Sequence, residues 1–410
     1  MKALILMVTG IILLATTTQQ ARGNEINRWN DVTLSGIRTA RLTPPLSSRA
    51  LAMVHIAMFD AVNAIENKYS PYATSRTAGQ DYSAELAAAA AARHVLTEML
   101  PLQKYAFEYA FKATADRLKN HPRAAESIQL GEETATNVLH VRGGDTAFMN
   151  SNIGYVAEPS PGRWVPTFPT FESPLLPLWG QVPTFALTSG SQFRPQAPPA
   201  LNSAEYQTAL NDVLTLGAKN STVRTADQTE IARFWADGSG TNTPPGHFNI
   251  LARTVAQSLQ YDLVKTAHML AVLNIAMADS AIACWDAKYA YWFWRPITAI
   301  RDSGIDSTWE PLIFTPYFPE YLSGHSTFSG AAQTVLSHLF GRDDIAFTIP
   351  SDGLPGVTRH YAKISDATAE AGRSRIYGGI HFEFSNQEGQ RLGALIGQHV
   401  INTVLRETAH

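Results

Sequence analysis

Tyr321-Leu322-Ser323-Gly324-His325-Ser326 stands immediately before a run whose apolar residues fall at Phe328, Ala331, Ala332, Val335, Leu336 and Leu339. That spacing marks one buried helical face, and Gly341 follows as a stop signal. The pattern predicts a helix whose N-terminus lies at Ser323 and Gly324. There the first backbone N–H groups lack partners and the helix dipole is positive, which favours an anion. Gly324 allows the backbone to approach that anion closely, and His325 brings a ring able to move protons. Taken alone, the stretch also describes a serine N-cap beside a surface histidine.

Two further stretches lie outward from this one. A helical pattern runs from about Lys265 into the Trp292 region, and on it Lys288 and Arg295 are seven apart and share a face. Trp285, one turn before Lys288, shares it too, and Pro296 ends the run. Two cations among Trp285, Trp292, Phe293 and Trp294 are costly to bury without a partner anion. As an isolated pair they also fit snorkelling surface residues. Towards the C-terminus comes Ser374-Arg375-Ile376-Tyr377-Gly378-Gly379-Ile380-His381, in which Arg375 ends a helix and His381 sits in a glycine-rich loop. Ser385-Asn386-Gln387-Glu388 then reads as a capping box opening a last helix along Leu392, Leu395, Ile396 and Val400.

The rest of the chain frames these pieces. Helical patterns cover about 48–65, 82–100, 103–119, 124–141, 203–216 and 225–235, then run to about Gln260. Residues 26–43 read as a short entry segment. His55, Asp60 and Asn63 read as locally paired core polar groups. Prolines recur between Pro159 and Pro199 among Trp164, Phe168, Phe171, Trp179 and Phe185. Such density forbids regular helix, while the aromatics imply a packed connection, a candidate part of a substrate mouth. No convincing strand alternation appears, so the fold class is all-α, with no strands expected. The expected organisation is a signal peptide over 1–23, a helical region over 24–158, the connection over 159–200 and a C-terminal helical region over 201–410.

Composition sets outer limits. With 410 residues, 45% hydrophobic and 16% charged, the chain builds a large core, and a net charge of −3 excludes a general nucleic-acid binder. Met1-Lys2 followed by an apolar run to Ala15, then Ala21-Arg22-Gly23, reads as an export signal cleaved before Asn24. The expectation is an exported protein, periplasmic or extracellular, with no stable membrane insertion after cleavage. Cys284 is the single cysteine, so no internal disulfide forms, and it reads as a small core residue.

Together the three stretches give Lys-x6-Arg-Pro, Ser-Gly-His and Ser-Arg-x5-His in that order. This order resembles the signature of the vanadium-dependent haloperoxidases, which share a helical-bundle core with the type 2 phosphatidic acid phosphatases. The resemblance covers roughly Phe234 to the C-terminus. It implies that Lys288, Arg295, Ser323, Gly324 and Arg375 hold a vanadate, that His381 bonds the metal, and that His325 is the acid–base residue. Trp285 and Phe318 stand where the chloroperoxidase type has a Trp and a Phe lining the halide pocket. Asp237 resembles the Asp that hydrogen-bonds the acid–base His, and Lys288 would help polarise peroxide. The partners implied are hydrogen peroxide, halide and a small organic substrate.

Two positions depart from the pattern. Leu322 stands where the family has a proline, and Ser385 where it has an aspartate four residues after the ligand His. A neutral Ser385 is expected to support the imidazole of His381 less than a carboxylate would. The alternative reading places phosphate in the same pocket, with His381 as the nucleophile of a phosphomonoesterase and His325 protonating the leaving group. A third class, a binding protein that only holds oxoanions, leaves His325 and Asp237 without a task.

Overall fold

In the computed structural model, residues 24–149 and 154–408 are described; the expected signal peptide lies outside them. In chain order the helices are α1 (Glu25–Ala40), α2 (Pro44–Glu66), α3 (Ala84–Met99), α4 (Lys104–Arg117), α5 (Ala124–Val141), α6 (Ala204–Leu216) and α7 (Ala226–Phe234). They continue with α8 (Thr243–Ser258), α9 (Leu263–Tyr291), α10 (Pro296–Asp302), α11 (Gly324–Phe340), α12 (Ile364–Tyr377) and α13 (Glu383–Thr403). The fold is helical, as the periodicity predicts.

Helix α9 is the axis. It is apolar and long enough to cross a membrane by composition, yet 94% of its most apolar window is buried inside the protein. Helices α2, α11 and α13 pack around it, so its apolar circumference is spent on helix–helix contacts. The alanine run of α3 is buried from Ala87 to Ala92 and lets α2 and α5 approach closely. The tightest packing joins α11 to α13: a Cβ on Gly393 would lie 2.0 Å from the Thr327 carbonyl oxygen. That backbone-to-backbone contact holds the loop before α11 against the loop before α13, and both carry motif residues.

The structure departs from the sequence reading at several elements. The entry segment 26–43 is largely the regular helix α1, capped by Asn24, with Ile26, Trp29, Leu34 and Ile37 buried. Helix α2 begins at Pro44, four residues before the expected start, because a proline suits the first helical turn. The short α10 begins at Pro296 for the same reason. A small antiparallel hairpin pairs β1 (Phe347–Pro350) with β2 (Thr358–Tyr361), where no strand was expected. Only Phe347 and Ile349 of β1 point inward, too short an alternation to register as a period. Helix α13 starts at Glu383 and has Phe382 at its N-cap with no side-chain cap. Ser385 is therefore inside the first turn and does not form the expected capping box.

The proline-rich connection is packed, as its aromatics imply: Trp164, Trp179, Val182, Phe185 and Leu187 are buried. Asp279, fully buried on α9, accepts hydrogen bonds from the N–H groups of Phe185 (2.6 Å), Ala186 (2.8 Å) and Leu187 (2.9 Å). Nearer the motif residues, Trp285 Nε1 (3.2 Å) and Tyr289 Oη (2.6 Å) donate to the Leu175 carbonyl. The connection is thus fastened to the helix that carries Lys288.

Candidate active site

Helix α11 opens where the motif predicts. Ser323 caps it, its Oγ accepting from the Ser326 N–H at 3.4 Å, and Gly341 closes it at a positive φ of 72°. Ser323 also donates its own N–H to the Ser385 carbonyl across the α11–α13 contact. A cavity of about 270 Å³ opens beside this helix start, and Gly324, His325, Arg375, His381, Trp285 and Phe318 line it. Asp237 lines it as well. Lys288 and Arg295 stand directly behind Phe318: Lys288 Nζ is 5.0 Å and the Arg295 guanidinium carbon 4.7 Å from its ring centre. Trp285 meets the same ring at 4.9 Å. The three sequence stretches therefore converge on one place.

Three cations are buried here: Lys288 and Arg295 completely and Arg375 to 1% exposure. Burial lowers Lys288 to about 7 and each arginine to about 10, and the charge of Arg295 adds to the effect at Lys288 and Arg375. The ammonium of Lys288 donates to the carbonyls of Pro319 (2.9 Å), Glu320 (2.9 Å) and Leu322 (2.5 Å). All three of its protons thus go to the loop before Ser323, where the sequence reading had aimed them at a ligand. Arg295 donates to the carbonyls of Phe318 and Ile380, and its second terminal nitrogen is buried with no partner.

His381 is placed by a residue that the sequence reading missed. Its Nδ1 lies 2.7 Å from a carboxylate oxygen of Glu320, which also accepts the Phe382 N–H at 3.0 Å. Arg295 donates to the other ring nitrogen, Nε2, at 3.2 Å. Nδ1 therefore carries the proton and Nε2 the lone pair. Burial and the surrounding cations hold His381 well below its ordinary pKa, so the ring is neutral. Glu320 is itself fully buried, and burial raises it to about 7. The expectation that His381 has only Ser385 for support is corrected: a carboxylate comes from Glu320, in the loop before α11. The signal was a charged residue between Pro319 and Tyr321 in an otherwise apolar stretch.

His325 is also held neutral, by burial first and the nearby Arg375 second. The main chain of Trp235 is its hydrogen-bond partner, and its Nε2 is buried without one. Asp237 does not have the role expected of it. Its carboxylate oxygens lie 3.1 and 3.2 Å from Nδ1 of His247, a buried residue that the sequence reading passed over. His247 stacks on Trp235 at 4.4 Å. Asp237 therefore reaches His325 through His247 and Trp235, and its charge also supports Arg375. Cys284 is buried, with its thiol pushed up by burial, and takes no part.

Among the described residues no group of three His, Cys, Asp or Glu side chains could hold a bare metal ion. The donor set suits a metal oxoanion instead. Three buried cations face two carboxylates, each already engaged with a histidine, so positive charge is left without a partner. The orphaned Arg295 nitrogen, the first-turn N–H groups of α11 and the lone pair of His381 are the donors and the ligand that such an anion needs.

Comparisons with known proteins give the chain's relatives. Residues 268–409 match a family model described as the VCPO second helical-bundle domain. The chain is 26% identical to the vanadium chloroperoxidase of Curvularia inaequalis over 88% of its own length and 79% of that protein. Among solved structures it resembles the first bacterial vanadium-dependent iodoperoxidase at 29% identity and a TM-score of 0.81, over 94% of this chain and 96% of that one. A holo-type bacterial vanadium-dependent chloroperoxidase shares the fold at 18% identity and a TM-score of 0.69, over 88% and 92% of the two chains.

Proposed function

We propose that this chain, which belongs to the vanadium-dependent haloperoxidases, oxidises halide with hydrogen peroxide to hypohalous acid at a vanadate held in the cavity beside α11. The observation that carries the reading is the neutral His381, its Nε2 lone pair set among three buried cations. His381 would hold the metal, because a ligating imidazole must be unprotonated at the bonding nitrogen. Arg295, Arg375, the Ser323 hydroxyl and the Gly324 N–H would hold the oxygens. When bound, vanadate supplies Lewis acidity that polarises hydrogen peroxide toward attack by halide without a change of oxidation state.

The protein's own residues do the rest. Glu320 fixes the tautomer of His381 and raises its basicity. Lys288 ties down the loop that carries Phe318, Glu320 and Ser323, and its charge adds to the field that attracts anions. His325, neutral and therefore a base, takes a proton from hydrogen peroxide and returns one to the departing hypohalous acid. The balance is hydrogen peroxide, halide and one proton giving hypohalous acid and water. Trp285 and Phe318 narrow the cavity beside the cations, which suits peroxide and halide better than a bulky phosphoester. An exported location, read from residues 1–23, belongs to the same proposal.

The test sets halide-dependent peroxidase activity of vanadate-loaded protein beside phosphomonoester hydrolysis. Activity that needs halide, falls with competing phosphate and returns with orthovanadate is expected. Robust phosphoester turnover with no hypohalous acid formed would overturn the assignment.

A further inference from the structure

Helix α4 turns an apolar face to water. The three most exposed large apolar side chains among the described residues are Leu102 (100%), Tyr105 (86%) and Tyr109 (81%). They stand three and four apart across the start of α4 and so share one side of it. The others, Phe314 on the outer wall of the cavity among them, are spread over the rest of the chain. Phe107, Phe111 and Thr114 form the buried side of α4, so the two tyrosines have no part in fastening the helix to its own fold. Beside them runs a groove of about 420 Å³ between α1 and α4, with Val32, Gly36, Ala106 and Ala110 in its walls. Its width is fixed by a tie towards each end: Gln103 donates to the Gly36 carbonyl at 3.0 Å and Arg28 to the Ala110 carbonyl at 3.1 Å. A row of alternating charge flanks the tyrosines, Lys104, Glu108, Lys112 and Asp116, each one turn after the last. Within the chain Lys112 pairs with Asp116 at 2.7 Å and Glu108 with Arg93 at 3.2 Å. With two cations set against two anions, the row offers no net attraction to an acidic membrane or to nucleic acid. Reversed end to end, it is its own complement.

We propose that this α4 face, with the groove beside it, is an interface for a second copy of this chain, the two α4 helices lying antiparallel about a two-fold axis level with Ala110. A two-fold contact uses the same patch on both partners, so the patch must complement itself. Lys104 then faces Asp116 of the second copy, Glu108 faces its Lys112, and symmetry repeats each pair. Tyr109 of each copy lies beside the axis, next to the groove of the other. At roughly 150–250 Å² for each aromatic side chain, the four tyrosines supply on the order of 600–1,000 Å². Leu102 and the groove walls bring the total to about the 1,200 Å² at which specific interfaces begin. The contact is thus weak and reversible, with a Kd on the order of micromolar.

Sedimentation velocity of the purified, vanadate-loaded protein tests this, from about 1 to about 100 μM. The weight-average mass should rise with concentration from that of one chain towards that of two. Tyr105→Ser combined with Tyr109→Ser should abolish the rise. Both side chains are exposed, so the unfolding midpoint and the peroxidase turnover per chain should not change. Asp116→Lys should weaken association about tenfold, since symmetry doubles the reversed pair, and Lys104→Glu added to it should restore the wild-type value. A single-chain mass throughout overturns the proposal. So does a rise that survives the tyrosine substitutions, or an Asp116→Lys effect that Lys104→Glu does not rescue. Binding to phosphatidylcholine vesicles that needs the two tyrosines, with no self-association, overturns it in favour of a membrane surface.

Discussion

The two walls of the cavity are built from opposite materials. The inner wall gathers charge at the ends of α9, α11 and α12 and in the loops beside them: Lys288, Arg295, Arg375, Glu320 and two histidines, nearly all buried. The outer wall is apolar and drawn from four separated segments. On the inner wall each side chain has an assigned hydrogen-bond geometry, so single-atom changes should be felt. On the outer wall shape and apolar area matter, so effects should be graded.

The largest effects therefore belong to the two histidines, and they should differ in kind. His381→Ala removes the proposed metal ligand and should bring vanadate binding below detection by titration. His325→Ala should leave binding measurable and lower kcat by about 10²–10⁴-fold, the usual range for a lost acid–base group. Equal loss of binding in both variants would erase the distinction between them.

Glu320→Gln comes next. The amide keeps a hydrogen bond to Nδ1 but removes the charge, so vanadate affinity should fall about 10–100-fold. Ser385→Asp would restore the family's carboxylate, and the sequence alone predicts a gain from it. With Glu320 already in place the new carboxylate is buried near a second one, since the Ser385 side chain neighbours that of Glu320. A loss on the order of 3 kcal/mol is expected, read as a lower unfolding midpoint. Tighter vanadate binding with unchanged stability would mean that Glu320 does not act as His381's carboxylate.

The contrast between the walls also explains what could be read beforehand. Lys288, Arg295, Ser323, Gly324, His325, Arg375 and His381 fall in three ordered stretches, each of which alone also fits a bland reading, and it was the resemblance of that order to a family signature that named them as one site. Glu320 was hidden because its role depends on a ring 61 residues away. Asp237 was correctly placed at the cavity but given the wrong partner, because His247 also lies beyond the turn that carries it. The sequence carried no period for the outer wall. Thr43 and Pro44 belong to the N-terminal helical region, and the packing of α2 against α9 brings them to the site. The all-α reading needed only the 3.6-residue period, whereas a hairpin of four-residue strands fell below its reach.

A last effect is expected on stability against pH, and it belongs to the inner wall alone. In protein freed of oxoanion, Lys288 titrates near 7 when folded, against an ordinary 10.5. Between those values the unfolded chain holds a proton that the folded one lacks, so stability rises with pH across that window. Glu320 runs the other way: folded near 7 against an ordinary 4.5, it keeps a proton that the unfolded chain has lost. Stability falls as pH rises from 4.5 to about 7. The two contributions place a minimum near neutrality. A bound oxoanion favours the charged lysine, so phosphate or orthovanadate should raise the unfolding midpoint most near pH 7 and flatten the alkaline arm. Lys288→Met should flatten that arm without any anion, and Phe314→Ala should leave the shape of the curve unchanged. Thermal unfolding from pH 5 to 10, with and without phosphate, tests this. An alkaline arm that survives Lys288→Met would assign the titration to another group.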